Sequence, residues 1–166
     1  MRLQQYINEI FKSKIDYELI IEESDRLVYK FKLNNVVYGV SIYIEDGFDH
    51  MVSNEDLEKI EDYFDIKNIK RENVWEVNFF DEEYGMTHEI TGKQGMSAIK
   101  IFSVVMDITK DAIKKKNIKY LLFTADNNEI SRVKLYEKFV KRYFKSYMKV
   151  QTIGDFSGRT TFIMKV

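Results

Sequence analysis

Residues 86–125 read MTHEITGKQGMSAIKIFSVVMDITKDAIKKKNIKYLLFTA, and their order of patterns decides the fold class. The strand-like run 86–91 leads into a glycine-bearing turn, and apolar spacing over residues 96–115 predicts a helix. The apolar run 120–125 has the length of a buried strand, and residues 129–147 predict a second helix. A strand, helix, strand order favours parallel pairing of 120–125 with the strand before the first helix.

Strand signals dominate the chain on both sides of this stretch. Runs of β-branched and aromatic residues alternate with polar ones, and Asn34-Asn35 can form a tight turn between two of them. The runs before the glycine turn predict an antiparallel meander, and the last two runs predict a closing hairpin through residues 154–158. The predicted strands are 15–21, 27–33, 36–44, 75–80, 150–153 and 160–166.

Helical spacing recurs at four places. Ser53 followed by Asp56 resembles a capping box, with the hydroxyl accepting a hydrogen bond from the backbone. It opens a short helix whose apolar stripe is Leu57, Ile60 and Phe64. A further short helix is predicted over residues 3–11. The two longer helices carry the stripes Ala98, Ile101, Phe102, Val105, Ile108, Ala112 and Ile113, and Val133, Tyr136, Val140, Tyr143, Phe144 and Tyr147.

Composition narrows the class of protein. The chain has 166 residues, is 45% hydrophobic and contains no proline, which fits one compact domain with a real core. It has no cysteine and two histidines, which argues against redox chemistry and a zinc site, so no metal is expected. The 26 basic and 27 acidic residues argue against a surface built wholly for nucleic acid. No apolar run approaches the roughly 20 residues of a membrane span, and we expect a cytoplasmic protein.

The glycine turn is the main functional lead. Gly92 and Gly95 precede a helix N-terminus, where unpaired backbone N–H groups and partial positive charge can accept a phosphate-bearing ligand. Glycines between a strand and a helix also serve simply to reverse the chain, and the residues leave both interpretations open.

The order of elements resembles that of the GNAT-type N-acyltransferases over residues 75–166. Leu135-Tyr136-Glu137-Lys138 looks like the signature on the last helix of that family. The resemblance implies an α+β, single-domain, GNAT-like fold with a mixed, mostly antiparallel sheet flanked by helices. Residues 1–74 would be a divergent N-terminal half, and residues 75–166 the cofactor half.

The same resemblance implies acetyl-CoA as cofactor and an amine, on a small molecule or a protein, as acceptor. Tyr136 would protonate the departing thiolate. Glu89 is the carboxylate best placed to act as base, with Glu82 and Glu83 as alternatives. Glu129 replaces the asparagine usual in the family and would repel a pyrophosphate if it faced the cleft. The residues expected at the cofactor are Ile90, Thr91, Gly92, Lys93, Gln94, Gly95, Met96, Ser97 and Asn128.

A second hypothesis keeps the fold without acetyl transfer. The chain would then be an accessory or binding protein of a phage or mobile element, contacting protein or nucleic acid. On the second long helix, basic residues could bind phosphates and the aromatic residues between them could stack on bases. A solvated amphipathic helix has the same pattern. The state of assembly is open between monomer and homodimer.

Overall fold

A computed structural model describes residues 15–65, 73–81, 85–86, 95–154 and 157–166. Within these residues the chain is a mixed α+β protein with a mostly antiparallel sheet and four helices. The strands are β1 (Tyr17–Glu22), β2 (Arg26–Leu33), β3 (Val36–Ile44), β4 (Val74–Asp81), β5 (Gly85–Met86), β6 (Tyr120–Asp126), β7 (Tyr147–Gln151) and β8 (Arg159–Lys165). The helices are α1 (Phe48–Met51), α2 (Asn54–Phe64), α3 (Gly95–Lys116) and α4 (Ile130–Tyr143).

The chain folds as two compact units. Unit 1 contains the described residues up to Ser41 together with Phe79–Asp111, and unit 2 contains Ile42–Asn78 and Ala112–Val166. The strands β3 and β4 and the helix α3 each run through both units. Across the described chain, no helix has the length and apolar composition needed to span a bilayer.

Unit 1 is built on the predicted meander. β1 pairs antiparallel with β2, which lies beside β3. Asn34 and Asn35 form the turn between β2 and β3 with φ of 50° and 66°, a left-handed conformation that asparagine tolerates. The helix α3 buries Ile101 and Phe102, and the Phe102 ring meets Phe79 edge-on at 5.0 Å. The predicted turn and this part of the predicted stripe are confirmed.

The sheet of unit 2 has the order β3, β4, β6, β8, β7. β8 pairs antiparallel with both β6 and β7, so the predicted closing hairpin is confirmed. β6 pairs parallel with β4. The parallel partner predicted from the sequence was the run 86–91, whereas the parallel partner among the described residues is β4. Residues 87–91 lie outside the described chain, and Gly85–Met86 pairs antiparallel with the end of β4.

The parallel ladder between β4 and β6 is short. It joins Val74 to Tyr120, Trp75 to Leu121 and Glu76 to Leu122. β4 continues through Val77 and Asn78, and β6 continues to Asp126, without further ladder pairs between them. Two neighbouring parallel strands therefore part at Glu76. We call this opening the β4–β6 fork.

The helices α1 and α2 cover one face of this sheet. Ser53 caps α2, accepting a 3.0 Å hydrogen bond from the backbone N–H of Asp56, as predicted. The predicted stripe of α2 is also confirmed, because Ile60 and Phe64 are buried and Leu57 packs beside them. The buried cluster beneath the two helices consists of Phe48, Val52, Ile60, Phe64, Val74, Tyr120, Leu122, Val150 and Ile163.

The second long helix is shorter than predicted. α4 ends at Tyr143, and Phe144 adopts an extended conformation while its N–H still bonds to the carbonyl of Val140. Tyr147, which the helical spacing placed on α4, instead starts β7 opposite Met164. Aromatic and β-branched residues in 147–151 suit a strand, and pairing with β8 overrides the helical period.

Candidate functional site around Glu76

Glu76 is a carboxyl in the middle of a central strand. Glu76 is 6% exposed, and its neighbours in β4, Trp75 and Val77, are buried as well. Removing a carboxylate from water disfavours its charged form. Burial is the largest of the effects that raise the pKa of Glu76, which reaches about 7. A group of this kind can take up and release a proton near neutral pH.

A chain of two hydrogen bonds ends on one oxygen of this carboxyl. The Tyr43 hydroxyl donates a 2.8 Å hydrogen bond to Oε2 of Glu76, and Asn78 Nδ2 donates a 2.8 Å hydrogen bond to the Tyr43 hydroxyl. Glu76 and Asn78 are two residues apart in one strand, so they share a face of the sheet. Burial has the largest effect in raising the pKa of the Tyr43 phenol, and the charge of Glu76 raises it further. The phenol therefore remains a neutral donor.

Threonines complete the polar lining on the other side of Glu76. The Thr124 side chain lowers the pKa of the Glu76 carboxyl, opposing the effect of burial. The hydroxyl oxygens of Thr124 and Thr161 lie 3.0 Å apart, which links β6 to β8. Thr161 is fully buried. The fork is therefore lined by hydroxyl groups that can stabilise the charged form of Glu76.

A second carboxyl, which affects the charge state of Glu76, directly follows β3. The charge of Glu45 adds to the effect of burial and raises the pKa of Glu76 further. Glu45 is half-buried, and its Oε1 accepts a 2.9 Å hydrogen bond from the backbone N–H of Gly47. Its own backbone N–H donates to the carbonyl of Val74 at 2.9 Å, which fixes it beside β4.

Tyr136, predicted from the sequence to be the catalytic acid, lies in α4 within the described chain. It is 5% exposed, and its ring lies 5.6 Å from that of Phe123. Burial raises the pKa of Tyr136, the Arg132 charge opposes this, and the charges of Glu129 and Glu76 add to it. The structure therefore brings the Tyr136 phenol within electrostatic reach of Glu76.

Glu129 stands at the N-terminus of α4 in an ion pair. Its Oε2 lies 2.7 Å from Nη1 of Arg132, and the two side chains are 18% and 10% exposed. From the sequence, we expected this carboxylate to repel a pyrophosphate if it faced the cleft. Because the guanidinium neutralises it, the carboxylate exerts a much weaker repulsion than an unpaired charge would.

The other predicted site residues are placed as follows. Glu89 and residues 90–94 lie outside the described chain, and Gly95, Met96 and Ser97 form the first turn of α3. Asn128 is exposed in the turn between β6 and α4, where its backbone N–H donates a 2.9 Å hydrogen bond to Oδ1 of Asp126. His50 lies in α1, with a side chain that is 74% exposed.

The sequence did not single out Glu76, Tyr43 or Glu45. A usable signal was present, because residues 75–79 alternate apolar and polar side chains and were predicted to lie in a strand among other strands. A strand covered on both faces buries its polar side chains as well. The described residues contain no group of three or more histidine, cysteine or acidic side chains arranged to hold a metal ion.

Comparison of the chain with known proteins found no matching family model, no matching curated protein and no matching solved structure.

Proposed function

We propose that this chain is a GNAT-like N-acyltransferase that transfers an acyl group from acyl-CoA to an amine. The observation that carries the proposal is the β4–β6 fork, with a buried carboxyl, Glu76, where the strands part and a buried phenol, Tyr136, within its electrostatic reach. Transfer to an amine requires a base for the ammonium and an acid for the thiolate. The fork supplies one group suited to each role.

Glu76 is the base in this proposal. An ammonium group must lose a proton before its nitrogen can attack a thioester. Catalysis by a base is most effective when its pKa lies near the working pH, and the pKa of Glu76 is about 7. Glu89 remains the base predicted from the sequence, and separate substitutions of the two carboxyls discriminate between them.

Tyr136 is the acid. Once the amine nitrogen has bonded to the thioester carbon, the carbon–sulfur bond breaks and the electron pair leaves on sulfur. The Tyr136 hydroxyl gives its proton to that thiolate, the nitrogen releases its remaining extra proton to water, and the Tyr136 phenolate regains a proton from water. Burial raises the pKa of the Tyr136 phenol, so the hydroxyl is protonated at neutral pH and is available as a donor.

The N-terminus of α3, which the resemblance assigns to phosphate binding, has a composition that suits an anion. α3 begins at Gly95 and has no acidic residue in its first turn, whereas Lys114, Lys115 and Lys116 occupy its last turn. Both features agree with the helix dipole, and the first leaves the N-terminal N–H groups suited to an anion.

The deciding experiment is thermal unfolding with acetyl-CoA, with free CoA and a short oligonucleotide in parallel. A site filled at about a hundredfold excess over its Kd adds roughly 2.7 kcal/mol to the free energy of unfolding. An increase in Tm with acetyl-CoA justifies a screen of amine acceptors. In that screen Glu76→Gln and Tyr136→Phe should lower kcat by about a hundredfold or more, while Glu58→Gln, on the exposed side of α2, should not.

The binding-protein alternative predicts a different outcome. The exposed basic residues of α4 would then give an increase in Tm with the oligonucleotide that disappears at high salt. The structure places one of them, Lys141, in a 2.9 Å ion pair with Glu137, as on an ordinary solvated helix face. No response to millimolar acetyl-CoA would reject the acyltransferase proposal.

A further inference from the structure

Asn78 begins a hydrogen-bond chain that ends on the Glu76 carboxyl. Its Nδ2 lies 2.8 Å from the Tyr43 hydroxyl, and that hydroxyl lies 2.8 Å from Oε2 of Glu76. Asn78 and Glu76 share one face of β4, and Tyr43 belongs to the neighbouring strand β3. All three residues lie in unit 2. The chain therefore joins two adjacent strands beside the β4–β6 fork.

The chemistry of the three groups fixes the direction of this chain. The amide nitrogen of an asparagine side chain can only donate, and an ionised carboxylate can only accept. A hydroxyl carries one proton, so the Tyr43 oxygen that accepts from Asn78 directs its own proton to Glu76. Neighbouring hydrogen bonds also polarise one another, so donation from Asn78 makes the Tyr43 hydroxyl a stronger donor. Both effects favour the ionised form of Glu76.

We propose that Asn78 is a positioning residue for Glu76: its amide orients the Tyr43 hydroxyl so that this hydroxyl donates to the Glu76 carboxylate. In acyl transfer, the carboxylate held in this way takes the proton from the acceptor ammonium. Asn78 acts through Tyr43 and exchanges no proton itself. The role in transfer rests on the proposed function, whereas the direction of the hydrogen-bond chain does not.

The surroundings of the Tyr43 hydroxyl leave this role to Asn78. Among the described residues, the hydrogen-bond partners of the hydroxyl are Glu76 and Asn78. The other polar or charged groups around the site are Glu45 after β3, Thr124 on β6, and Tyr136, Glu129 and Arg132 on α4. Glu129 and Arg132 are paired with each other at 2.7 Å. The described α1 and α2 residues in the cluster beside Val74 are apolar.

The test is the titration of the Glu76 carboxyl in protein labelled with ¹³C-glutamate, assigned with Glu76→Gln. Asn78→Leu removes the amide donor at similar size and should raise the midpoint by about half a pH unit. In a Tyr43→Phe background the same change should leave the midpoint unaltered, because the hydroxyl through which Asn78 acts is absent. Equal shifts in the two backgrounds, or no shift in either, would overturn the proposal.

Two further variants control for shape and folding. Asn54→Leu, the same change at an exposed position of α2, should leave the midpoint unaltered. Asn78→Asp keeps the shape of the side chain but replaces the donating amide with an acceptor, so it should raise the midpoint by more than Asn78→Leu does. If Asn78→Leu does not fold, Asn78→Asp takes its place, and its shift should be larger with Tyr43 present than in Tyr43→Phe. Equal shifts would again overturn the proposal.

Acyl transfer tests the role in the reaction. In Asn78→Leu the acid limb of the pH profile of kcat should move to higher pH by the same amount as the titration midpoint, while KM for acetyl-CoA stays unaltered. An unmoved acid limb beside a shifted midpoint would overturn the positioning role in transfer. If the native protein transfers no acyl group, the proposed function fails, and the titration still decides whether Asn78 acts on Glu76 through Tyr43.

Discussion

The hydroxyl of Tyr43 donates a 2.8 Å hydrogen bond to Oε2 of Glu76, a carboxyl that is 6% exposed in a central strand. This contact opposes burial. A donor to a carboxylate favours the charged form, whereas removal from water disfavours it. The balance leaves the pKa of Glu76 at about 7, so small changes around the carboxyl alter its charge at neutral pH.

Tyr43→Phe should raise the pKa of Glu76 above 7. The variant removes a donor to the carboxylate, and Asn78 loses the oxygen to which it donates. Carboxyl ¹³C titration measures the midpoint directly. The matched control is Tyr17→Phe, which removes a 2.8 Å bond between a phenol and the Asp111 carboxyl in unit 1 and should leave Glu76 unaffected. A midpoint below that of the native protein would contradict the role given to Tyr43.

Glu76 should make the protein less stable as pH rises. Its pKa is about 7 in the folded state against 4.5 as the ordinary value, so the folded state binds the proton more tightly. The stabilisation is complete below pH 4.5 and is lost as pH rises through about 7. At about 1.4 kcal/mol for each pH unit, the loss is about 3 kcal/mol.

Urea unfolding of the native protein and of Glu76→Gln across this range measures the effect. The free energy of unfolding of the native protein, relative to that of the variant, should fall by about 3 kcal/mol from the acid to the neutral end. Glu58→Gln, at an exposed position of α2, should run parallel to the native protein. A constant difference between the native protein and Glu76→Gln would show that Glu76 titrates as an ordinary carboxyl.

Local patterns predicted much of the fold. Asn34 and Asn35 favour a left-handed turn and Ser53 favours a helix cap through interactions with their own neighbours, so both features could be identified without tertiary information. The apolar stripes of α2 and α3 follow from helical periodicity for the same reason.

Non-local pairing decided what the sequence could not predict. β6 pairs with β4, and the paired positions Val74 and Tyr120 lie 46 positions apart in the chain. The run 86–91, which the sequence favoured as partner, is much nearer to β6.

 Residues 82–119 lie between the end of β4 and the start of β6 in the chain. Pairing over such a separation leaves no mark in the local pattern of either strand. The burial of Glu76 follows from this pairing, because β4 becomes a central strand only when β6 lies beside it.

Gly39→Ala should destabilise the protein by about 2 kcal/mol through overpacking. A Cβ added to Gly39 would collide with the ring of Phe80, which lies over this position within unit 1. Urea unfolding measures the loss. In the background of Phe80→Leu, which withdraws the ring, the same Gly39→Ala change should cost much less. Equal costs in both backgrounds would show that the ring does not require a glycine at this position.

Breaking the ion pair between Arg132 and Glu129 should lower the free energy of unfolding far more than breaking the exposed pair between Lys141 and Glu137 on the same helix. Arg132→Met leaves the Glu129 carboxylate, 18% exposed, without its guanidinium and should cost about 3 kcal/mol of the free energy of unfolding. Adding Glu129→Leu should recover part of that loss, because no unpaired charge then remains. The matched control is Lys141→Met, which breaks a 2.9 Å pair whose side chains are 58% and 32% exposed, and should cost about 1 kcal/mol or less. Similar losses for Arg132→Met and Lys141→Met would mean that burial adds nothing to the pair at the start of α4.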